Sequence, residues 1–518
     1  MANEYGDIGK CADWVATSAA SFGGKLATVD LASGRRRTYA EWHERVASVA
    51  GMLRAKGIEQ GDRVALLAMN STDVLDIAFA CWRLGAIHLP LNFRLTAKEL
   101  TFIVGDARPK IAILDDEFAE TGNQVREKTD VAEWIGMDGV GGDTPFERAV
   151  AEADPVYEQA GLTLDDLSCI MYSSGTTGLP KGVTLSHGNF FYAVVNAAPS
   201  FRSNFDMVSL TPMPLFHIGG FCAFSTTTAY FGGTTIIQRT FDPTAVLELI
   251  DDPAMGITHL FAVPAMWNAL KAHPAQPDTD FSRIRNAASG AETVPGPLVK
   301  WWQERGVTIQ EVYGMTETTG GVCLLDESAI PDKIGSAGKA FRHAPIAILD
   351  EDGKAVPTGE IGEICMGGPQ ITPGYWNRPE ANEASRFGPW FRSGDIGRID
   401  EDGFVFVEDR VKDMYISGGE NVYPAEVENI LYEIDAISEV AVIGVPDSKW
   451  GETGCAVVAV KEGEELTLSD IAQHCEGRLA KFKQPAHMTT IDALPRNATG
   501  KVLKFELRQS VPDRLELR

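Results

Sequence analysis

The sequence lacks the features of a disulfide-bonded, zinc-binding or membrane-spanning protein. Its eight cysteines are scattered from Cys11 to Cys475, with no Cys-x-x-Cys pair and no His/Cys cluster at metal spacing. That pattern argues against a disulfide framework and against a zinc site. No segment approaches the length of an uninterrupted membrane span, and the N-terminus has no basic region followed by an apolar run. We therefore expect reduced core cysteines, no integral membrane segment and a cytoplasmic location.

Positive charge is also scarce. Lys and Arg total 46 against 72 Asp and Glu, which gives a net charge of -26. Nucleic acids and anionic membrane surfaces need a basic face, so neither is expected as a general partner. The chain of 518 residues is too long for one core, and its 44% hydrophobic content is that of an ordinary globular protein. At least two domains are predicted.

The run Tyr172–Val183 has the composition of a phosphate-binding loop. It follows the strand-like segment 167–172, and the end of a strand is where α/β proteins commonly bind ligands. Glycines allow close backbone approach, hydroxyls donate to phosphate oxygens, and a lysine adds charge. The residues concerned are Ser173, Ser174, Gly175, Thr176, Thr177, Gly178 and Lys181. Because Gly182 follows Lys181, the loop is not a Walker motif.

Four later segments carry further candidate residues. His217 lies in the Pro- and Gly-rich run 210–220; such a lone histidine is more often a hydrogen-bonded core residue. The segments 289–292 and 313–317 each follow a strand-like stretch, and Glu317 is an oxygen ligand suited to magnesium. Asp395, at the end of the run 391–395, could accept both ribose hydroxyls.

The order of helical and strand-like patterns predicts an α/β fold. Thr38–Gly57 has a capping box and helical apolar spacing, and alternating strands and helices follow. The polar stretch Asp115–Leu164 is interpreted as a variable surface excursion, and Lys339–Val407 has β-hairpin character. We expect a large multi-layer domain of sheets flanked by helices, with a β-hairpin region, and a small mobile α+β C-terminal domain.

The charged run 409–413 separates the hairpin region from a compact tail. The predicted domains are residues 1–409 and 413–518, with a hinge at 410–412. The tail has two glycine-containing loops, at 416–421 and 495–501, and a small basic patch of Arg478, Lys481 and Lys483. Such a patch is either a solvated helix end or a site for the phosphates of an anionic substrate.

Together these motifs closely resemble the adenylate-forming superfamily, and most of all bacterial acyl-CoA ligases of the fatty-acid type. The resemblance spans about Thr38 to Lys504 and rests on at least six motifs in order. Ser173 and Ser393 stand where the family usually has Thr, a change that keeps the hydroxyl. The resemblance implies that a carboxylate attacks the α-phosphorus of MgATP to give acyl-AMP, and that coenzyme A then displaces AMP.

The resemblance also implies a role for each motif. Ser173 to Gly178 and Lys181 would hold the β- and γ-phosphates, while Thr316 and Glu317 would manage the α-phosphate and magnesium. The resemblance also implies that the adenine slot is formed by Gly290, Ala291, Glu292, Tyr313 and Gly314, and that the ribose is held by Asp395 and Arg410. His217 would border the acyl pocket, Lys501 would contact the reacting carboxylate, and Lys412 would be the pivot. The pantetheine passage would be lined by Ser417, Gly418, Gly419 and Glu420.

The acid itself is not specified by these motifs. Gly320, Gly321 and the segment 221–230 would leave room for an extended chain, so a medium- or long-chain fatty acid is favoured over a hydroxycinnamate-type aromatic acid. A kinase or ATPase, a carrier-protein loading enzyme and a luciferase are the alternatives, distinguished by the product nucleotide, by use of free coenzyme A and by light emission. A homodimer is left open.

Overall fold

The structure is a computed structural model that describes residues 13–173, 180–292, 294–410, 413–417, 420–447, 450–496 and 502–514. The strands are β1 (Leu26–Asp30), β2 (Arg36–Thr38), β3 (Arg63–Leu67), β4 (Ile87–Pro90), β5 (Ile111–Asp115), β6 (Glu133–Met137), β7 (Leu167–Ser173), β8 (Lys181–Ser186), β9 (Val208–Thr211), β10 (Thr234–Ile237), β11 (His259–Phe261), β12 (Asn286–Gly290), β13 (Ile309–Met315), β14 (Gly320–Leu324), β15 (Lys339–Ala340), β16 (Ile346–Leu349), β17 (Gly362–Met366), β18 (Gly374–Tyr375), β19 (Arg386–Phe387), β20 (Trp390–Ile399), β21 (Val405–Arg410), β22 (Tyr415–Ser417), β23 (Glu420–Val422), β24 (Ile437–Asp447), β25 (Gly451–Val460) and β26 (His487–Thr490).

The α-helices are α1 (Trp14–Phe22), α2 (Tyr39–Ala55), α3 (Thr72–Leu84), α4 (Ala97–Ala107), α5 (Ala119–Arg126), α6 (Pro145–Glu152), α7 (His187–Ala197), α8 (Ile218–Gly220), α9 (Thr227–Phe231), α10 (Pro243–Asp251), α11 (Pro264–Ala272), α12 (Gly296–Gln303), α13 (Pro379–Ala384), α14 (Pro424–Leu431), α15 (Leu468–Cys475) and α16 (Lys504–Arg514). A π-helix, Phe221–Thr226, joins α8 to α9.

Two large sheets with mostly parallel centres form the main body. One has nine strands in the order β15-β14-β13-β12-β11-β9-β10-β1-β2, and the other has seven in the order β18-β8-β7-β4-β3-β5-β6. In the seven-stranded sheet β7 pairs in parallel with β4 but antiparallel with β8. Strands buried on both faces read as continuous apolar runs, as in β3 and β5. The α/β class is confirmed.

The predicted helix beginning after Thr38 is confirmed as α2. The Thr38 side chain accepts a hydrogen bond from the Glu41 backbone, and the Glu41 side chain accepts one from Thr38 in return. This reciprocal cap satisfies donors that the first helical turn leaves unpaired. The helix then buries Trp42, Val46 and Leu53 against the body of the protein. Capping residue and apolar spacing were both visible in the sequence.

The interpretation of Asp115–Leu164 as a surface excursion is wrong. The stretch contains α5, β6 and α6, and β6 pairs in parallel with β5 at the edge of the seven-stranded sheet. Phe146 and Val150 of α6 are buried, and Glu147 forms an ion pair with Arg45 of α2. An edge strand and an amphipathic helix keep many polar residues on their outer faces. The polar composition of this stretch therefore did not indicate that it contains a strand and helices.

The hairpin character of Lys339–Val407 is confirmed by a third, antiparallel sheet. Its strands run in the order β16-β17-β20-β19, and β21 pairs with β20. The described residues between 413 and 514 are built around a fourth sheet in the order β23-β22-β25-β24, with β26 paired to β25, and we call this part the C-terminal unit. The predicted hinge residue Lys412 lies outside the described residues, and the predicted domain limits stay a prediction.

Two absences apply to the described part of the chain. None of its helices is long and apolar enough to cross a membrane. Its cysteines, from Cys81 to Cys475, are all buried and unpaired by disulfides.

Candidate active site

Three sheets meet at one large cavity. β7 ends there at Ser173, β13 ends there at Met315, and β20 contributes Asp395. The cavity has a volume of about 1270 Å³. Because it lies beyond the carboxyl ends of β7 and β13, its position is the one where α/β proteins commonly bind ligands.

One end of the cavity gathers a lysine, a carboxylate and hydroxyl groups. Ser173 and Lys181 are direct partners in the antiparallel pairing of β7 with β8. The Ser173 hydroxyl lies 3.5 Å from Glu317 Oε1, and the Tyr375 hydroxyl donates to the same oxygen at 3.1 Å. The Lys181 Nζ lies 5.2 Å from the centre of the Tyr375 ring. The predicted phosphate-loop residues Ser174, Gly175, Thr176, Thr177 and Gly178 lie outside the described residues.

Tyr375 was not predicted from the sequence. It reaches the cavity because β18 leaves the hairpin region and pairs with β8, opposite Val183. Burial, followed by the charge of Glu317, raises the pKa of its phenol, so it stays a hydrogen-bond donor at neutral pH. In the sequence this run, Gly374–Tyr375–Trp376, is only a glycine followed by two aromatic residues, and that pattern does not indicate a site.

Thr316 and Glu317 are held by a tight turn at the end of β13. The residues Thr316–Thr318 form a single 3₁₀ turn, and the Met315 backbone N–H donates to the Thr318 hydroxyl at 2.9 Å. The Glu317 carbonyl accepts from the Thr372 backbone at 2.7 Å. A Cβ on Gly314 would lie 2.0 Å from the Gly320 carbonyl oxygen, so only glycine fits there. Both Thr316 and Glu317 line the cavity.

Asp395 and Tyr313 form a second polar group. The Tyr313 hydroxyl donates to Asp395 Oδ2 at 2.7 Å, and Asp395 is 5% exposed. Burial, followed by the Asp395 charge, raises the pKa of Tyr313. Asp395 is also the direct backbone partner of Arg410 in the pairing of β20 with β21. The family resemblance implied that Asp395 and Arg410 contact the ribose, and this stays a prediction. The fold brings the backbones of these two residues together. The side chain of Arg410 is outside the described part.

Of the predicted adenine-slot residues, Ala291 and Gly314 line the cavity, whereas Gly290, Glu292 and Tyr313 are not among its lining residues. A Cβ on Gly290 would lie 2.3 Å from the Val312 carbonyl oxygen, and Ala291 has a left-handed backbone with φ of 72° and lines the cavity. Glu292 is not among the lining residues. Its carboxylate instead accepts a hydrogen bond of 3.1 Å from Arg496 of the C-terminal unit.

A second part of the cavity lining consists mainly of small and apolar side chains. His217 lies at the start of α8, where its Nδ1 faces the Gly219 backbone N–H at 3.5 Å. Cys222 and Ala223 of the π-helix line the cavity, as does Thr227 at the start of α9. A π-helix displaces side chains from the α-helical spacing and is frequent at functional sites. The remaining lining residues on this side include Ala193, Ala197, Phe201, Met213, Phe261, Val312, Gly320 and Gly321.

The predicted residues of the C-terminal unit do not reach this cavity among the described residues. Ser417 is buried and pairs with Glu420 across the β22–β23 turn. Gly418, Gly419, Lys412 and Lys501 lie outside the described residues, and of Glu420 only the backbone is described.

Glu317 fits the magnesium site that the sequence suggested. Its carboxylate lies inside the cavity beside the Ser173 and Tyr375 hydroxyls. No cluster of three or more His, Cys, Asp or Glu residues suited to a metal occurs in the described ranges. Magnesium that accompanies a nucleotide is normally bound by one or two carboxylates together with phosphates, so a single carboxylate at this position is sufficient.

Comparison with known proteins identifies the family. Residues 15–376 match the family of AMP-binding enzymes, and residues 426–501 match the AMP-binding enzyme C-terminal domain. A feruloyl-CoA synthase of Amycolatopsis sp is 39% identical over 93% of this chain and 96% of its own length. The long-chain-fatty-acid–CoA ligase FadD13 of Mycobacterium tuberculosis is 38% identical over 96% of this chain and 97% of its own.

The solved structures agree with this assignment. ATP-bound MatB from Rhodopseudomonas palustris superimposes with a TM-score of 0.89 and 33% identity, covering 97% of this chain and 99% of that protein. The chain therefore belongs to the family of AMP-binding enzymes.

Proposed function

We propose that this member of the family joins a medium- or long-chain fatty acid to coenzyme A. The chain is an AMP-forming acid–CoA ligase. Its reaction has two steps: a carboxylate oxygen attacks the α-phosphorus of ATP and pyrophosphate leaves, and then the thiol of coenzyme A attacks the acyl carbonyl and AMP leaves. The protein mainly positions anions and stabilises charge that moves onto the leaving group.

The nucleotide residues are proposed from their positions around the cavity. Ser173 and Lys181 would bind the β- and γ-phosphates together with the adjoining loop. Thr316 would donate to the α-phosphate, and Asp395 would accept the ribose hydroxyls beside Tyr313. This arrangement is supported by the fact that Ser173, Lys181, Thr316, Glu317 and Asp395 all line one cavity.

Glu317 would hold magnesium, which neutralises phosphate charge when it is bound. The Tyr375 hydroxyl donates to Glu317 Oε1 and so orients this carboxylate. Since burial and the Glu317 charge both raise the pKa of Tyr375, the phenol keeps that proton at neutral pH. Tyr375 is thus proposed as a residue that positions Glu317.

The C-terminal residues are proposed to act in turn. Lys501 would neutralise charge between the carboxylate and the α-phosphate in the first step. Rotation at Lys412 would then bring the segment Ser417–Glu420 to the cavity for coenzyme A. The two steps need different access, because the acyl-AMP must be shielded from water before the thiol enters.

The observation that carries the choice of acid is an uncharged wall. Among the residues that the structure describes, the charged ones that line the cavity are Lys98, Glu99, Lys181, Glu317, Glu363, Arg392 and Asp395, and none of these belongs to α7, the π-helix or α9. A substrate with a second carboxylate would bury that charge without a partner, at a large cost. The acid's tail is therefore uncharged.

The length of the tail follows from α7. Ala193 and Ala197 lie one turn apart on the same face of the helix, and both line the cavity. At the α-helical rise they extend the wall by about 6 Å, and Phe201 continues it past the end of the helix. Such a wall of small side chains suits an extended alkyl chain.

An aromatic acid of the hydroxycinnamate type is the second candidate. Thr227 is a buried polar residue on the acyl side, and its hydroxyl donates to the Cys222 carbonyl at 2.9 Å. Its oxygen can still accept a hydrogen bond from a phenol. The feruloyl-CoA synthase relative is consistent with this reading.

The test is coenzyme A-dependent AMP release with acids of graded length, aromatic acids and dicarboxylic acids. Fatty acids of medium or long chain should give the highest kcat/KM. Ala197→Phe should lower kcat/KM for dodecanoate at least ~10-fold and leave butyrate unchanged, because the ring occupies the wall. Val195→Phe, on the same helix but outside the cavity lining, is the control. Preference for ferulate would establish the second candidate instead.

A further inference from the structure

The segment 369–372 lies between helix α7 and the turn that carries Thr316 and Glu317. It follows β17 and precedes β18 in the hairpin region. Its four residues, all of them described by the structure, are not among those that line the cavity, whereas α7 contributes Ala193 and Ala197 to the lining and the turn contributes Thr316 and Glu317. The segment therefore supports the cavity wall from behind.

Two asparagine side chains of α7 bind this segment. Asn189 Nδ2 donates to the Pro369 carbonyl at 2.9 Å and to the Ile371 carbonyl at 3.0 Å. Asn196 Nδ2 donates to Gln370 Oε1 at 2.5 Å. The two asparagines are about two helical turns apart, so they lie on the same face of α7. The segment is thus bonded along the helix that forms the acyl wall.

Gln370 carries the connection from α7 to the turn. Its Nε2 donates to the Thr318 carbonyl at 2.9 Å and to the Gly321 carbonyl at 2.8 Å. The Thr319 hydroxyl donates to the Gln370 carbonyl at 2.8 Å. Thr318 directly follows Glu317, and both Thr319 and Gly321 line the cavity. One side chain therefore joins the acyl wall to the part of the site that is proposed to hold the α-phosphate and magnesium.

The orientation of the Gln370 amide is fixed from both ends. Asn196 Oδ1 accepts from the His343 backbone N–H at 3.0 Å, so Asn196 Nδ2 is the atom that faces Gln370. Gln370 Oε1 is then the acceptor, and its Nε2 faces two backbone carbonyls. Gln370 is 0% exposed and Asn196 is 5% exposed, so a hydrogen bond lost here leaves buried polar groups unpaired. The connection has only one arrangement that satisfies all of these groups.

We propose that Gln370 is a positioning residue for the adenylation step and that Asn196 is its partner on α7. Together they fix the distance between the acyl wall and the turn that carries Thr316 and Glu317. An acid whose tail lies along α7 then has its carboxylate aligned with the α-phosphate at that turn. A displacement of about 1 Å at the reacting atoms can cost ~100-fold in rate, so this distance matters for kcat. The proposal rests on the ligase function proposed above.

The connection affects long and short acids differently. A long tail contacts α7, so a shift of this helix relative to the turn displaces the carboxylate of a long acid. Butyrate leaves most of the α7 wall empty, so its carboxylate is positioned mainly by groups near the turn. A residue that only supports the fold would instead lower the rate with both acids by the same factor. The comparison of two acids therefore separates positioning from structural support.

The test measures acid-dependent pyrophosphate release in Gln370→Met, Asn196→Leu and the double variant. Both replacements keep the approximate size of the side chain and remove its hydrogen bonds. In each single variant kcat should fall about tenfold with dodecanoate and at most about twofold with butyrate, with the KM for ATP within twofold of the parent value. The double variant should be no slower than Gln370→Met alone, because both changes break the same connection. If Gln370→Met does not fold, Asn196→Leu makes the comparison by itself.

Gln276→Met is the matched control. Gln276 is 5% exposed and is not among the residues that line the cavity. The variant makes the same change at a glutamine that is also buried, so it should keep the parent kcat with both acids.

Several results would overturn the proposal. Equal losses of kcat with dodecanoate and butyrate would show that Gln370 only supports the fold, and an unchanged kcat with dodecanoate would show that the connection does not position the acid. Multiplicative losses in the double variant would show that Gln370 and Asn196 act separately. If the parent protein prefers ferulate to every fatty acid, the proposed function is wrong, and the comparison of ferulate with butyrate then tests the connection in the same way.

Discussion

His88 is a titratable side chain in a place where a proton is costly. It lies on β4, is 0% exposed, and its ring is 5.8 Å from the Phe221 ring in a stacked geometry. Neither ring nitrogen has a hydrogen-bond partner among the described residues. Burial lowers the pKa of His88 to about 3. The imidazole is thus neutral and contributes mainly as an aromatic ring.

Replacing that ring by an apolar one of similar shape should change the pH dependence of stability. The unfolded histidine has a pKa of about 6.5, and the folded pKa is lower, so the parent protein loses stability as pH falls from about 6.5 towards 3. At pH 5 the loss from this group is about 2 kcal/mol. His88→Phe should remove that loss and unfold at higher urea concentration at pH 5. Urea unfolding of both proteins at pH 7.5 and pH 5 measures this difference in stability. If His88→Phe loses as much stability between the two pH values as the parent protein does, the prediction is wrong.

Asp395 is the buried carboxylate that the proposed ribose contact depends on. Asp395→Asn keeps the shape but removes the charge and one acceptor oxygen, and a hydrogen bond to a charged group contributes about 1.5–3 kcal/mol. The KM for ATP should therefore rise ~10–100-fold, while the KM for coenzyme A stays within twofold. Asp400→Asn is the control and should leave the KM for ATP unchanged. The Asp400 carboxylate lies just after the same strand and forms an ion pair with Lys333.

At the scale of elements, the β13–β14 pair determines where Thr316 and Glu317 lie. The two strands shift register between Tyr313 and Gly314, and a Cβ on Gly314 would lie 2.0 Å from the Gly320 carbonyl oxygen. Gly314→Ala would force the strands apart and move the turn that follows. A displacement of about 1 Å at a reacting group can cost ~100-fold in rate, so pyrophosphate release should fall by about that factor.

The matched control for Gly314→Ala is Gly105→Ala. Gly105 lies in α4, and a Cβ there would meet nothing within 4 Å. Alanine is a better helix former than glycine by about 1 kcal/mol, so this variant should be at least as stable and fully active. Full activity of Gly314→Ala in the same assay would show that the register shift does not set the position of Glu317.

Elements were predictable where their signal is local. The capping box of α2, formed by Thr38 and Glu41, was predicted from the sequence. β6 was not, because an edge strand carries polar residues and its pairing with β5 is a tertiary event. The same reason explains why Tyr375 and the Arg496–Glu292 bond were missed: each depends on pairing between segments far apart in the chain. The phosphate-loop, Tyr313 and Asp395 motifs were found because each is contiguous.

At the scale of the whole molecule, a protein with a net charge of -26 takes up anionic substrates. The sequence suggested a basic patch of Arg478, Lys481 and Lys483 as a local exception. In the structure Arg478 is paired with Glu433, and Lys483 is paired with Glu426 at 2.7 Å. Lys481 is exposed. The patch therefore carries less net positive charge than its three cations indicate.

Because Arg478 and Lys483 are paired with carboxylates, we predict that Lys481 is the residue of the patch that contacts the phosphates of coenzyme A. Lys481→Glu should raise the KM for coenzyme A several-fold at low salt, because an exposed charge contact is worth about 0.2–1 kcal/mol and the change reverses it. The effect should shrink at physiological ionic strength, where screening limits exposed charges to a reach of ~8 Å. The KM for ATP should not change. Lys461→Glu makes the same charge change at another exposed lysine of the C-terminal unit and should have no such effect. If both variants raise the KM for coenzyme A equally, overall charge rather than the patch governs the access of coenzyme A. If neither variant raises it, Lys481 is only a solvated side chain.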